Sequence, residues 1–145
     1  MMANPLAYTR IAATILLFAI LALATGCGDG RPARIAVSGT VTYRGKPLDG
    51  ANVTFVPKGS RPASGQTDAQ GRFTLQTFSS GDGVVAGDHV VCVVKSVPDP
   101  KDKKKSPYPK MISVTPARYA TPVQSPLKAT VASKGSNDFR FELDD

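Results

Sequence analysis

The residues best suited to chemistry in this chain are few and widely spaced. The single histidine, His89, stands at the start of an apolar run, and no second histidine or cysteine lies at a metal-ligand spacing from it. Nucleophilic catalysis needs a base held beside the nucleophile, and the sequence offers no such pair. We therefore expect no enzyme activity, no catalytic residue, no metal site and no cofactor, with His89 at the rim of a strand.

Three aspartates are candidate ligands for calcium, which prefers several oxygen atoms. They are Asp68, Asp82 and Asp88. Each stands beside or near a glycine, where turn formation already explains an aspartate. The sequence therefore predicts turns at these positions rather than a calcium site.

The two cysteines are predicted to have separate roles. Cys92 lies among valines, which is typical of a small buried hydrophobic residue. Cys27 follows the uninterrupted apolar run of residues 11–24 and a few small residues. That run is shorter than the roughly 20 residues that span a bilayer, and it is typical of a signal-peptide core. A disulfide between Cys27 and Cys92, common in exported proteins, is the alternative.

The segment Leu23-Ala24-Thr25-Gly26-Cys27 resembles the lipobox of bacterial lipoproteins. In that family the chain is cut just before the cysteine, whose thiol carries diacylglycerol. The resemblance implies a signal peptide over residues 1–26 and a lipid anchor on Cys27. The glycines, proline and charged residues that follow Cys27 predict a flexible tether over residues 27–34. Gly28, where inner-membrane lipoproteins of enteric bacteria carry aspartate, favours the outer membrane. An ordinary secretory signal, which would release a soluble protein, is the alternative.

From residue 35 onward, apolar and polar residues alternate with the period of two that half-buried strands show. Residues 89–95 are instead apolar on both faces, which is typical of a central strand. The 13 glycines and 12 prolines disfavour long helices. We expect an all-β fold over residues 35–145: a single Greek-key β-sandwich of about seven strands.

Two segments resemble the carboxypeptidase-regulatory-like family, whose members are transthyretin-like or Cna-B-like sandwiches. They are VSGTVTYRGKPLDGANVTFVP, which begins at Val37, and TDAQGRFTL, which begins at Thr67. The similarity extends through GDGVVAGDHVVCV to about Lys95. The resemblance implies a fold that is frequent in bacterial surface proteins and lipoproteins. It leaves the function open, because such modules host many roles.

Between residues 96 and 126 the chain is rich in proline and lysine, and 7 of the 12 prolines lie there. Proline lacks a backbone donor and disfavours central strands, so we expect a long loop, extended or partly disordered. Loops on a rigid scaffold tend to carry function. The candidate partner-binding residues are the cationic and aromatic side chains of this loop: Lys101, Lys103, Lys104, Lys105, Tyr108 and Lys110.

The formal net charge of +7 owes much to this lysine cluster. Aromatic stacking partners are scarce near it, and an exported chain rarely meets nucleic acid, so we expect no nucleic-acid binding. The expected partners are the membrane through the lipid anchor and an envelope protein or anionic glycan; a solvated loop without a partner is the alternative. The sequence thus predicts a non-catalytic interaction or structural module of the cell envelope. A lipoprotein that binds a small ligand, a glycan or a metal is the second hypothesis, and the oligomeric state is left open.

Overall fold

The computed structural model describes residues 30, 32–102 and 107–145. The predicted signal peptide, Cys27, and the lysines at 103–105 lie outside the described residues. The strands in chain order are β1 (Arg34–Ile35), β2 (Ser38–Tyr43), β3 (Lys46–Pro47), β4 (Asn52–Pro57), β5 (Ala63–Gln66), β6 (Arg72–Thr74), β7 (Val84–Val85), β8 (Gly87–Val94), β9 (Ser96–Pro98), β10 (Met111–Ser113), β11 (Lys128–Val131) and β12 (Asp138–Leu143).

Two open sheets make up the body of the domain. One has the order β11-β8-β4-β5 and is antiparallel throughout. The other has the order β12-β2-β3 with β6 also paired to β2, and its β12–β2 pair is parallel. A single turn of 3-10 helix, Ala117–Tyr119, is the only helical element among the described residues. The prediction of an all-β fold is confirmed. The described residues contain no helix long and apolar enough to cross a membrane.

Both sheets contribute to one hydrophobic core. Phe55 on β4 is fully buried, and its ring lies 6.3 Å from Phe73, 5.6 Å from Phe139 and 6.0 Å from Phe141 between ring centroids. Phe73, Phe139 and Phe141 belong to the second sheet, so aromatic contacts join the two sheets face to face. This arrangement is consistent with a β-sandwich.

Strand β8 is central in its sheet, as its two-sided apolar pattern predicts. It lies between β11 and β4, and Val91 and Val93 are fully buried toward the core.

Gly39 on β2 shows why a strand can require glycine at one position. A Cβ atom there would lie 2.3 Å from the carbonyl oxygen of Phe139 and 2.6 Å from the ring of Phe73. No side chain larger than that of glycine fits at this position.

The segment from residue 96 to 126 is more ordered than its composition suggests. Strands β9 and β10 form an antiparallel hairpin within it, with Pro98 opposite Met111 and Ser96 opposite Ser113. Farther on, Tyr119 is buried in the core. The expectation of a long loop, extended or partly disordered, is therefore wrong for the paired strands and for the buried Tyr119. Proline is tolerated at the end of a two-stranded ribbon because no second neighbour needs its missing donor.

The domain has two distinct ends. Strands β8 and β4 are antiparallel, so Gly87 and Pro57 lie at one end, next to β1 and β7, while Val94 and Asn52 lie at the other. We call the first the tether end, because Pro32 and β1 begin the described domain there. We call the second the ribbon end, because β9 and β10 extend from it. The 8 residues of β8 separate the two ends by roughly 23 Å.

Candidate functional site

The hairpin of β9 and β10 carries the described members of the predicted partner-binding set, which are Lys101, Tyr108 and Lys110. We call its described residues, 96–102 and 107–113, the basic ribbon. Hydrogen bonds hold its base to the sheet. The amide of Lys95 donates to Oγ1 of the buried Thr115 over 3.1 Å, and the amide of Val114 donates to the carbonyl of Lys95 over 2.8 Å. The ribbon is therefore continuous with the central strand β8 rather than a separate loop.

Two aspartates order the basic ribbon beyond its paired strands. The amide of Asp99 donates to the carbonyl of Lys110 over 2.7 Å, and Oδ1 of Asp99 accepts from the amide of Lys101 over 2.9 Å. Oδ2 of Asp102 accepts from the amide of Lys110 over 3.0 Å. These bonds hold the backbones of Lys101 and Lys110 against the same pair of aspartates. The three lysines at 103–105 lie outside the described residues.

Apolar side chains accompany the lysines of the basic ribbon. Tyr108 is 88% exposed, Met111 51% and Ile112 38%. Exposed apolar residues rimmed by charge are typical of protein-binding surfaces. Sequence reasoning found Tyr108 but missed Met111 and Ile112, because an isolated apolar pair inside a proline-rich segment shows no periodicity. The sequence indicates Met111 and Ile112 only through the contrast between these two apolar residues and their polar neighbours.

A second candidate site lies at the tether end, on the outer face of the four-stranded sheet. We call it the lysine groove, a concavity of about 820 Å³ whose lining includes Val56, Lys58, Asp88, Val90 and Lys128. Val56 and Lys128 both pair with Val90, so these three side chains form one row across β4, β8 and β11. In the next row, Oγ1 of Thr130 donates to Oδ1 of Asp88 over 2.6 Å.

A third concavity, of about 680 Å³, lies on the outer face of the other sheet. Arg72 and Arg140 both pair with Thr40 on β2, so the two guanidinium groups flank one threonine. Asp68 and Asp138 also line this surface. Two cations and two carboxylates leave it without net charge.

His89 is near the tether end of β8 but is buried rather than exposed at the rim, which corrects the sequence expectation. It is only 3% exposed, and its ring centroid lies 5.7 Å from that of Phe55. Its Nδ1 lies 2.9 Å from the carbonyl oxygen of Gly87, a geometry that assigns the proton to Nδ1. Nε2 is buried without a hydrogen-bond partner among the described residues. Burial lowers the pKa of His89, because the low-dielectric surroundings disfavour the imidazolium.

Cys92, Asp68 and Asp82 have structural roles, whereas Asp88 lies on strand β8, so the turn predicted at Asp88 is wrong. Cys92 is a buried free thiol, as predicted, and burial raises its pKa. Oδ1 of Asp68 accepts from the amide of Arg72 over 2.8 Å, which closes a turn. Oδ1 of Asp82 accepts from the amide of Thr77 over 2.7 Å. Within the described part of the chain, no three His, Cys, Asp or Glu residues are grouped so as to hold a metal ion.

Comparison with known proteins adds little to this picture. The chain matches no protein-family profile and no curated protein. Among solved structures it is similar to a 9R-lipoxygenase from Cyanothece PCC8801, with a TM-score of 0.41 and 14% sequence identity. The match covers 83% of this chain and 18% of the lipoxygenase chain. So distant a likeness to so small a part of that enzyme carries no argument about fold or activity.

Proposed function

We propose that this chain is a bacterial lipoprotein without catalytic activity, anchored in the cell envelope through acyl chains on Cys27. The domain is a Greek-key sandwich that presents the basic ribbon to an envelope protein, and the anchoring membrane is the outer one. Two acyl chains on one cysteine are sufficient for stable attachment, since each buried CH₂ contributes about 0.8 kcal/mol. The ordered succession of charge, apolar core, small residues and Cys27 supports the anchor.

One observation carries the interaction role: the chain enters the domain at the tether end, and the basic ribbon leaves it at the ribbon end. A lipid anchor upstream of Pro32 would therefore leave the ribbon on the side away from the attachment point. The ribbon combines Lys101 and Lys110 with the exposed Met111 and Ile112. That mixture favours a protein surface with apolar patches and an acidic rim over a purely anionic glycan.

The anchor is tested by labelling cells that express the full chain with a palmitate analogue. We expect label on the natural chain and on Cys92→Ser, and none on Cys27→Ser. Cys92→Ser is the matched control because it removes the only other thiol. Label that persists on Cys27→Ser, or an intact mass showing an unmodified Cys27 thiol in the natural chain, would contradict the proposal.

The partner role is tested by crosslinking in intact cells and identifying what is captured. We expect the double variant Lys101→Glu/Lys110→Glu to reduce the captured partner by about tenfold or more, because charge reversal turns attraction into repulsion. The matched control Lys46→Glu/Lys134→Glu makes the same change at two exposed lysines outside the basic ribbon. Equal capture by both double variants would exclude the ribbon as the interaction site.

A further inference from the structure

The lysine groove has an apolar floor that faces away from the core. Side chains of a strand alternate between faces, and Val91 is fully buried toward the core, so Val90 points to the outer face. Val56, paired with Val90, lies on that same face. Both valines are half-buried at the base of the concavity.

The charges of the lysine groove are unbalanced. Lys58 and Lys128 are exposed and form no ion pair with any described residue, while the Asp88 carboxylate already accepts a hydrogen bond from Thr130. Two cations therefore face one carboxylate, in contrast to the balanced arginine surface on the other sheet. Lysine stems lie readily along apolar surface with the ammonium at its margin. The groove thus offers an apolar floor with a cationic margin, the arrangement that an amphiphilic anion requires.

The position of the lysine groove identifies the amphiphile. Pro32, where the described domain begins, is one of the groove residues. Only residues 28–31 separate it from Cys27, and a chain of that length reaches at most roughly 18 Å. If Cys27 carries the lipid anchor, the groove must lie close to the membrane surface.

We propose that the lysine groove binds the headgroup of an anionic phospholipid in the membrane that holds the anchor. Lys58 and Lys128 contact the phosphate, and Val56 and Val90 contact the glycerol and the first acyl carbons. This inference rests on the proposed lipid anchor and adds a second contact that fixes the orientation of the domain. With the tether end held at the headgroups, the basic ribbon is directed away from the bilayer.

The test is a lysine footprint on the full lipidated chain reconstituted in vesicles. Amine-reactive labelling is compared between vesicles of phosphatidylcholine alone and vesicles that also contain phosphatidylglycerol. We expect labelling of Lys58 and Lys128 to fall about fivefold in the anionic vesicles, the factor that corresponds to the attraction of one lysine to an anionic surface. Lys46 and Lys110, at the ribbon end, should label equally in both. Equal labelling of Lys58 and Lys128 in the two vesicle types would overturn the proposal.

Two further measurements separate a shared headgroup site from simpler explanations. Lys58→Gln should reduce the protection of Lys128, because both lysines hold one phosphate, whereas Lys46→Gln should leave it unchanged. Protection of Lys128 that survives Lys58→Gln would indicate a diffuse surface effect and refute the site. Inorganic phosphate that protects both lysines as well as the vesicles do would exclude a lipid. Failure of the anchor is detected separately, as unmodified Cys27 in the intact mass of the same sample.

Discussion

The tether end and the ribbon end both carry lysines, but they hold them differently. At the tether end, Lys58 and Lys128 flank rows of paired side chains on a four-stranded sheet. At the ribbon end, Lys101 and Lys110 lie on a two-stranded hairpin whose base is held by the hydrogen bond from Lys95 to Thr115. A surface on a packed sheet is preorganised for a small ligand, whereas a two-stranded ribbon adapts more easily to a larger partner. If both ends bind as proposed, their lysines contact different kinds of ligand.

The ion pairs at the two ends differ in the same way. At the tether end, Arg34 and Asp82 pair at 3.1 Å with side chains 20% and 15% exposed. At the ribbon end, the pair of Arg44 and Asp145 lies at the surface, with side chains 65% and 63% exposed. Exposed pairs contribute little to stability, because water screens them. We therefore expect local order at the tether end to be the more sensitive to loss of a carboxylate.

The largest effect on stability is expected for a substitution in the hydrophobic core, on which both ends of the domain depend. Phe55→Ala removes the ring that contacts His89 and three phenylalanines of the second sheet. We expect the free energy of unfolding to fall by about 3–5 kcal/mol, because the surrounding rings cannot fill the cavity. Urea unfolding followed by far-UV circular dichroism measures it, with Val123→Ala, 95% exposed, as the control.

Hydrogen exchange on Phe55→Ala sharpens the comparison. Amides at both ends should lose protection together, because the sheets that carry them pack on the same ring. Loss of protection at the tether end alone would show that the ends unfold independently, and would contradict the common core.

The second-largest effect is expected on amide exchange at the tether end, where Asp82 accepts backbone hydrogen bonds. Backbone amides that donate hydrogen bonds to Asp82 lower its pKa, and the amide of Thr77 has the largest effect. The Arg34 guanidinium also lowers it. A carboxylate with a lowered folded pKa stabilises the protein above its unfolded pKa of about 4, and that contribution is lost as the pH falls through the folded value. Asp82→Asn should therefore speed exchange of the Thr77 and Phe78 amides severalfold at neutral pH.

The matched control for Asp82→Asn is Asp145→Asn. It removes the exposed partner of Arg44 at the ribbon end and should leave exchange of the neighbouring amides almost unchanged. If Asp145→Asn speeds amide exchange at the ribbon end as much as Asp82→Asn does at the tether end, the difference in burial between the two ion pairs does not affect local stability.

A smaller, pH-dependent effect is expected at His89. Its pKa is lowered by burial in the folded state, so the unfolded chain binds a proton more readily. Stability should therefore decline as the pH falls below the unfolded pKa of about 6.5, and this decline ends at the folded value. His89→Phe keeps a ring against Phe55 and removes the titrating group. Urea midpoints measured between pH 7 and 5 should decline less for His89→Phe than for the natural chain, and parallel curves would refute the assignment.

What the sequence predicts and what it misses follow from the range of the interactions involved. The period of two and the two-sided apolar run near Cys92 predict the sheets, because those patterns record burial directly. The two-residue strands β1, β3 and β7 are too short to show a period, so the structure has more strand segments than the about seven that the pattern predicts. The lysine groove was missed for a different reason: Lys58 and Lys128 are far apart in sequence, and only the pairing of β4, β8 and β11 brings them together.

The smallest effect on stability is expected at the basic ribbon, and it is the sharpest test of the difference between the ends. Ile112→Ser removes an apolar side chain that is 38% exposed on a two-stranded hairpin. The free energy of unfolding should change by less than about 0.5 kcal/mol, because such a surface substitution disturbs no core packing. Partner crosslinking in cells should nevertheless fall, since the ribbon contributes apolar contact as well as charge. Ser96→Ala, an exposed serine on the paired strand β9, is the control for both readouts. A large loss of stability in Ile112→Ser would mean that the ribbon is part of the folded core, and its proposed freedom to adapt to a partner would be wrong.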